Sequence, residues 1–220
     1  HIIHRQCLLS GEVRYNMQEA TLFLKRISHK FALGTMLLSI SLVAVFALGL
    51  LSSQAFSLDF SETFESYATS TFPGGVWEDT VPSGTWTVEN DGVSNVLQQS
   101  DDSLGNPTDP IALAGISVDN TLMEAQIKVL SGDGKAGVVF RAQDHDNLYL
   151  YQINTVTDQS VLARRDAGVW TVLATSSIVV NENDWHVIRV IAVGDKIQGS
   201  VNGIPQVAVF DSTYSSGGVG

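Results

Sequence analysis

"AGVVFRAQDHDNLYLYQI", Ala136–Ile153, sets two runs of branched and aromatic residues on either side of five polar ones. The runs "GVVFRA" and "LYLYQI" have the period of two that suits a half-buried strand. Between them, Gln143–Asn147 are residues that make turns by bonding their own backbone. With these five as the loop, an ordinary hairpin length, Ala142 faces Leu148, Arg141 faces Tyr149, Phe140 faces Leu150 and Val139 faces Tyr151. Cross-strand partners share a face. This register predicts a core face of Ala142, Phe140, Leu148 and Leu150, and an opposite face of Arg141, Val139, Tyr149 and Tyr151. A slip by one residue would put Arg141 in the core.

The same period continues on both sides of the hairpin. "GTWTVE" (84–89), "TLMEAQIKVL" (121–130), "SVLARR" (160–165), "VWTVLA" (169–174), "WHVIRVIAV" (185–193) and "IQGSVNG" (197–203) read as strands. Turn signals such as "ENDG", "SGDG", "DAG", "NEND" and "VNG" separate them at a spacing of about ten residues. No stretch holds a helical period. The reading is an all-β, two-sheet antiparallel sandwich. Trp86, Trp170 and Trp185 each open a strand and read as core residues that close the ends of the sandwich. "SDDSLGNPTDP", Ser100–Pro110, with two prolines and a glycine, reads as a surface loop. "SSGGVG" at 215–220 reads as the start of another strand, so the C-terminus is expected to be truncated.

The N-terminal quarter is of another kind. His1–Asn16 show no periodicity and are kept out of the fold. Lys25, Arg26 and Lys30 precede an uncharged run, Phe31–Leu51, and "SSQAFS" follows with small residues at Ala55 and Ser57. A basic flank, an apolar core and a small-x-small exit match a secretory signal cleaved after Ala55 or Ser57. The alternative is an uncleaved membrane anchor, since the run is long enough to cross a bilayer. The division expected is a leader and basic region at 1–30, a signal helix and cleavage site at 31–57, and one domain at 58–220. Its 163 residues are ample for one core.

The sole cysteine, Cys7, lies in the leader, so the domain is held by its core and not by disulfides. Residues 58–220 carry seven Lys and Arg against 21 Asp and Glu, a formal charge of −14. That balance argues against nucleic acid, whose phosphates reward basic side chains. It suits a protein of the cell exterior, secreted or at the cell surface.

At this point the residues resemble a family. "WTVENDGVSNVLQQSD", "AGVVFRAQDHDNLYLYQI", "VWTVLA", "DWHVIRVIAVGDKIQGSVNG" and "DSTYSSGGVG" resemble the concanavalin A-like lectin/glucanase superfamily. More narrowly they resemble the laminin G-like jelly rolls of bacterial exported proteins. The resemblance spans about Leu58–Gly220 and implies two sheets packed face to face, one of them concave. This fold hosts lectins, carbohydrate-binding modules, glycosidases and adhesion domains, so it does not fix function. A second resemblance is to bacterial 3-keto-disaccharide hydrolase domains, from which no catalytic set transfers to these positions.

Tyr149 and Tyr151 beside Arg141, with Gln143 and Asn147 at the loop, would offer a sugar a flat apolar face and fixed polar groups. Arginine would favour an acidic polysaccharide, because its fork matches a carboxylate. Glycoside hydrolysis needs two carboxyl groups across the scissile bond. The Glu-x-Asp-x-x-Glu strand pattern of the superfamily's glucanases is absent, and Glu124 stands alone on its strand, so no catalytic residue is assigned. Asp144, His145 and Asp146 are consecutive and cannot converge on one ion. Calcium would need further oxygens, such as those of Asp101, Asp102 or Asp109, and no second histidine is spaced for zinc. No metal residue or other cofactor is therefore assigned. The expectation is a secreted glycan-binding or adhesion module of a longer exported protein, touching the membrane only through an uncleaved leader. The alternatives are a glycoside-hydrolase-like domain and a structural domain without a ligand.

Overall fold

The computed structural model describes residues 2–9, 60–80, 86–100, 109–130 and 134–220. The expected leader helix, the run Phe31–Leu51, the cleavage positions Ala55 and Ser57, and the 101–108 part of the long loop lie outside the described residues. The chain divides into one unit of His1–Ser10 with Leu58–Gly220 and a second of Gly11–Ser57. Among the described residues no helix is long and apolar enough to cross a membrane.

Those residues form fifteen strands: β1 (Ile2–Leu9), β2 (Phe60–Glu62), β3 (Trp77–Asp79), β4 (Trp86–Asn90), β5 (Asn95–Gln99), β6 (Ala112–Val118), β7 (Thr121–Val129), β8 (Lys135–Asp144), β9 (Asn147–Asn154), β10 (Gln159–Asp166), β11 (Val169–Ser177), β12 (Trp185–Val193), β13 (Lys196–Val201), β14 (Ile204–Phe210) and β15 (Gly217–Val219). One sheet runs β14-β13-β12-β7-β1-β5-β4, with β2 paired to β1, and the other runs β11-β10-β9-β8-β15-β6-β3. Every pairing among the described strands is antiparallel. The chain is the all-β sandwich that its alternation implies.

That alternation builds the core directly. In β7, Thr121, Met123, Ala125, Ile127 and Val129 are buried and the residues between them are not. In β12, His186, Ile188, Val190 and Ala192 do the same. The apolar side chains among these meet Val138, Phe140, Tyr149, Tyr151, Ile153 and Leu162 of the opposite sheet in one cluster. The contact is close at Gly199 of β13, where a Cβ would lie 2.5 Å from the Tyr151 ring. Glycine there lets a full tyrosine ring span the gap between the sheets. The turns follow their residues: β13 and β14 are joined through Asn202 and Gly203, both at positive φ (50° and 78°), the conformation a two-residue hairpin favours.

Ile2–Leu9 depart from the reading of the leader. As β1 they pair with β7 from Ile2–Val129 to Leu9–Met123, and with β5 from Ile2–Gln99 to His4–Leu97. A strand between two others satisfies the backbone groups of both edges. "IIHRQCLL" carries no period of its own, so its place is set by its neighbours and not by its pattern.

Candidate functional site

The Ala136–Ile153 hairpin forms, but in a different register from the one that alternation suggests. Phe140 pairs with Tyr149, Val139 with Leu150 and Val138 with Tyr151, and the turn tightens to two residues because Asp144 pairs with Asn147. Asp144 is the reason. Its Oδ1 accepts the Asp146 N–H (2.8 Å) and the Asn147 Nδ2–H (2.8 Å), closing the turn on its own side chain. Arg141, Ala142 and Gln143 then stand opposite Leu148 alone, a bulge in which Arg141 takes φ 50°. Gly217 of β15 seats against it, where a Cβ would lie 2.5 Å from the Arg141 carbonyl carbon.

The bulge turns β9 over. Tyr149 and Tyr151 are 0 % exposed and Arg141 is 1 % exposed, all inside the sandwich. The expected sugar face of Arg141, Tyr149 and Tyr151 is therefore core, and no ligand on the surface can stack on it. The slip that would bury Arg141 is the one that occurs. Gln143 is exposed, but its Nε2 donates to the carbonyls of Arg141 (3.2 Å) and Ser216 (2.5 Å). Asn147 Oδ1 accepts from Ala167 N (2.9 Å) and Tyr214 Oη (3.2 Å). Arg141, Gln143, Asn147 and Tyr149 do come together, as the support of the Asp211–Ser216 segment, with Arg141 and Tyr149 buried and Gln143 at the surface.

That support is polar and well connected. Arg141 donates from Nε to the Asp119 carbonyl (3.1 Å) and from Nη1 to the Tyr214 carbonyl (3.2 Å). Burial lowers its pKa from the ordinary arginine value. Tyr149 Oη donates to Asp211 Oδ1 (2.5 Å), and Arg164 Nη1 donates to Asp211 Oδ2 (2.5 Å). Burial, and then the hydrogen bond to Asp166, pushes the Tyr214 phenol up to about 12. For Asp211, burial raises the carboxyl, but hydrogen bonds from Tyr149 and Thr213 and the charge of Arg164 outweigh it, and the net shift is downward.

A carboxyl whose folded pKa is depressed stabilises the fold fully above its unfolded value, 3.8 here, and loses that contribution as pH falls through the lower folded value. Asp211→Asn is therefore expected to flatten the fall in melting temperature below about pH 4. An acid limb as steep as that of the wild type would show that Asp211 does not carry it.

The outer side of the same sheet is different. Val139, Leu148, Ile111 and Ala142 form a second buried cluster, and Leu113, Leu150 and Trp170 pack against it. Arg165 of β10 pairs with Leu148 on one side and Trp170 on the other. Its guanidinium carbon lies 5.3 Å from the Trp170 ring centroid, within cation–π range. Arg165 Nη2 is 3.2 Å from Asp146 Oδ1, and Nη1 is 3.8 Å from Asp109 Oδ2. The Trp170 indole N–H donates to that same Oδ2 (3.1 Å), and His145 Nε2 lies 3.0 Å from the Asp109 carbonyl. The two aspartates are more than half exposed, so these pairs add little stability. What they do is fix the orientation of the indole.

Trp170 departs from its reading as core. It is half-buried, on an outer face beside a cleft of ≈ 160 Å³. Its lining includes the part-exposed Asp109, Pro110, Lys135, Gln152 and Trp170, together with Val139 and Leu150. Alternation placed Trp170 on a strand but could not say which face of the sheet it takes. The sequence signal was its spacing from Arg165 across the "DAG" turn, which brings the two side by side.

Asp144 is engaged in the turn and Asp146 with Arg165, and Asp101 and Asp102 lie outside the described residues. Among the described residues no group of three or more His, Cys, Asp or Glu is arranged to hold a metal ion.

A family model described as the 3-keto-alpha-glucoside-1,2-lyase-like domain matches residues 67–218. This corresponds to the second family that the strand motifs resemble, not to a laminin G-like one. No curated protein matches the chain. Similar solved structures include the carbohydrate binding module CBM66 from Bacillus subtilis, at 22 % identity and TM-score 0.57, over 66 % of this chain and 86 % of that one. The galectin LEC-6 from Caenorhabditis elegans aligns at 15 % identity and TM-score 0.38, over 47 % and 84 % of the two chains. A Bacillus subtilis protein of galectin-like fold aligns at 11 % identity and TM-score 0.42, over 65 % and 80 %. The likeness to CBM66 is one of fold.

Proposed function

The chain belongs to the 3-keto-alpha-glucoside-1,2-lyase-like domain family, and from that premise we propose that it binds carbohydrate at Trp170, on the outer face of the second sheet. The observation that carries the reading is the indole itself. It is a flat ring, half-buried on the outer face of the sheet, held at its N–H by Asp109 and at its face by Arg165. Sugars are recognised by such a surface with a few fixed polar groups around it. Asp109 stands beside this one, and Gln152 lies on the same outer face of β9 as Leu148 and Leu150, against which the indole packs. A sandwich fold shared with a carbohydrate binding module is in keeping with this use.

Binding stands ahead of catalysis. Asp109, the carboxylate beside the indole, already accepts the Trp170 N–H. The His145 ring is engaged with the Asp109 carbonyl and Arg165. The ligand is a neutral glycan, because Arg141 is buried and Arg165 is already matched by Asp109 and Asp146. The test is a panel of neutral and uronic-acid oligosaccharides titrated against the full chain. Binding of neutral members and not of uronic ones is expected, and a preference for uronic acids would overturn the choice of ligand.

Export is part of the same reading, supported by Lys25, Arg26, Lys30, the apolar run and "AFS". Expressed from Met17 in a bacterium, the chain is expected outside the cytoplasm with a new N-terminus near Leu58. Intact chain recovered with the membrane would point to an anchor. Either product lacks residues 2–9, so the place of β1 would have to be taken by other residues.

A further inference from the structure

The face that carries Trp170 continues beyond it. Tyr151 and Leu162 point into the core. By alternation their neighbours Leu150, Gln152, Ala163 and Val161 point outward. Pairing sets these in rows across three strands. Leu150, Ala163 and Val172 form the row next to Trp170, and Gln152, Val161 and Thr175 form the row after it. Ala163 is the small residue of its row, so β10 runs there as a shallow trough between β9 and β11. The trough ends at the following row, where Asn154 belongs to the turn. Its Oδ1 accepts the Val156 and Thr157 N–H groups (2.9 and 3.1 Å).

Neither row holds a charged side chain, on a domain whose residues 58–220 carry 21 Asp and Glu. The outer face of the other sheet, by contrast, carries Glu124, Lys128 and Arg189. An uncharged floor with an amide and a hydroxyl at its margins suits a chain of neutral hydroxylated rings. Among the described residues no side-chain hydrogen bond engages the Gln152 amide. It is free to offer two donors and an acceptor, whereas the Trp170 N–H is already taken by Asp109.

Length then decides the class of ligand. Trp170 pairs with Arg165, and Gln152 pairs with Val161. Those two positions of β10 are roughly 13 Å apart along the strand. One sugar ring seated on the indole does not also reach Gln152. We propose that the ligand is a neutral oligosaccharide lying lengthwise along β10, with one ring on Trp170 and a further ring between Gln152 and Thr175. This rests on the carbohydrate reading and adds to it the length and direction of the ligand.

The experiment titrates D-glucose, D-mannose and D-galactose, each with its linear di- and trisaccharides, into the full chain by calorimetry. In the series that binds, affinity is expected to rise about tenfold or more from monosaccharide to trisaccharide, because the further ring makes hydrogen bonds of its own. Gln152→Ala and Thr175→Ala are each expected to bring that ratio down toward one. Thr175 is exposed on the edge strand β11, so its truncation leaves the fold intact. Equal affinities for monosaccharide and trisaccharide in the wild type would overturn the inference and leave a sugar at Trp170 in place. A length preference that survives both substitutions would overturn it as well. No binding in any series would remove both readings together. A dimer in sedimentation that Val172→Glu dissociates would give the face to a second copy of the chain, and would also overturn the inference.

Discussion

Tyr149→Ala is expected to cost the domain about 3–5 kcal/mol of stability, enough to unfold much of it near physiological temperature. The ring has no exposed surface, stacks on Phe140 with centroids 5.4 Å apart, and meets Tyr214 edge-on at 5.5 Å. Its loss leaves a cavity between packed sheets and removes a donor from the Asp211 carboxylate. Tyr149→Phe keeps the ring and loses only the hydroxyl, so it is expected to cost about 1.5–3 kcal/mol, the range for a hydrogen bond to a charged group. Urea unfolding of both variants separates the two contributions. If the tyrosine instead faced solvent, as simple alternation implies, Tyr149→Ala would cost under about 0.5 kcal/mol, the usual limit for exposed positions.

Trp170→Ala acts in the opposite way. Its expected effect on stability is modest, because the ring is half-buried on the edge strand β11. Its expected effect on glycan affinity is a loss of about 1–3 kcal/mol, by analogy with a central aromatic anchor of an interface. Trp185 supplies the control. It too is half-buried and opens a strand, but on β12 in the other sheet, with the Lys128 ammonium 4.8 Å above its ring. Trp185→Ala is expected to bind glycan like the wild type. Equal losses in the two variants would mean a general weakening of the fold and no site at Trp170.

The fold was legible because alternation in β7, β12 and β10 is nearly unbroken and the separating turns have residues suited to them. The site was not, and the reason is local. One bulge at Arg141–Gln143 reverses every residue of β9 relative to the register that alternation suggests. A bulge depends on which neighbour seats against it, here Gly217, seventy-odd residues further along the chain. The same holds for Trp170. Its strand was clear from "VWTVLA", but its face depends on Arg165, Asp109 and the loop leading into β6, which only the folded chain brings together. β1 is the extreme case, placed by two open strand edges and not by any pattern of its own.

The central claim is that carbohydrate lies on the outer face of the second sheet against Trp170. It is tested most directly by following the indole N–H signals in ¹⁵N–¹H spectra while a neutral glycan is added to the full chain. The expected result is that the Trp170 Nε1–H signal shifts with ligand, together with the Gln152 side-chain amide, while that of Trp185 stays in place. Saturable binding that leaves Trp170 unmoved, or moves only residues of the β12–β14 face, would contradict it.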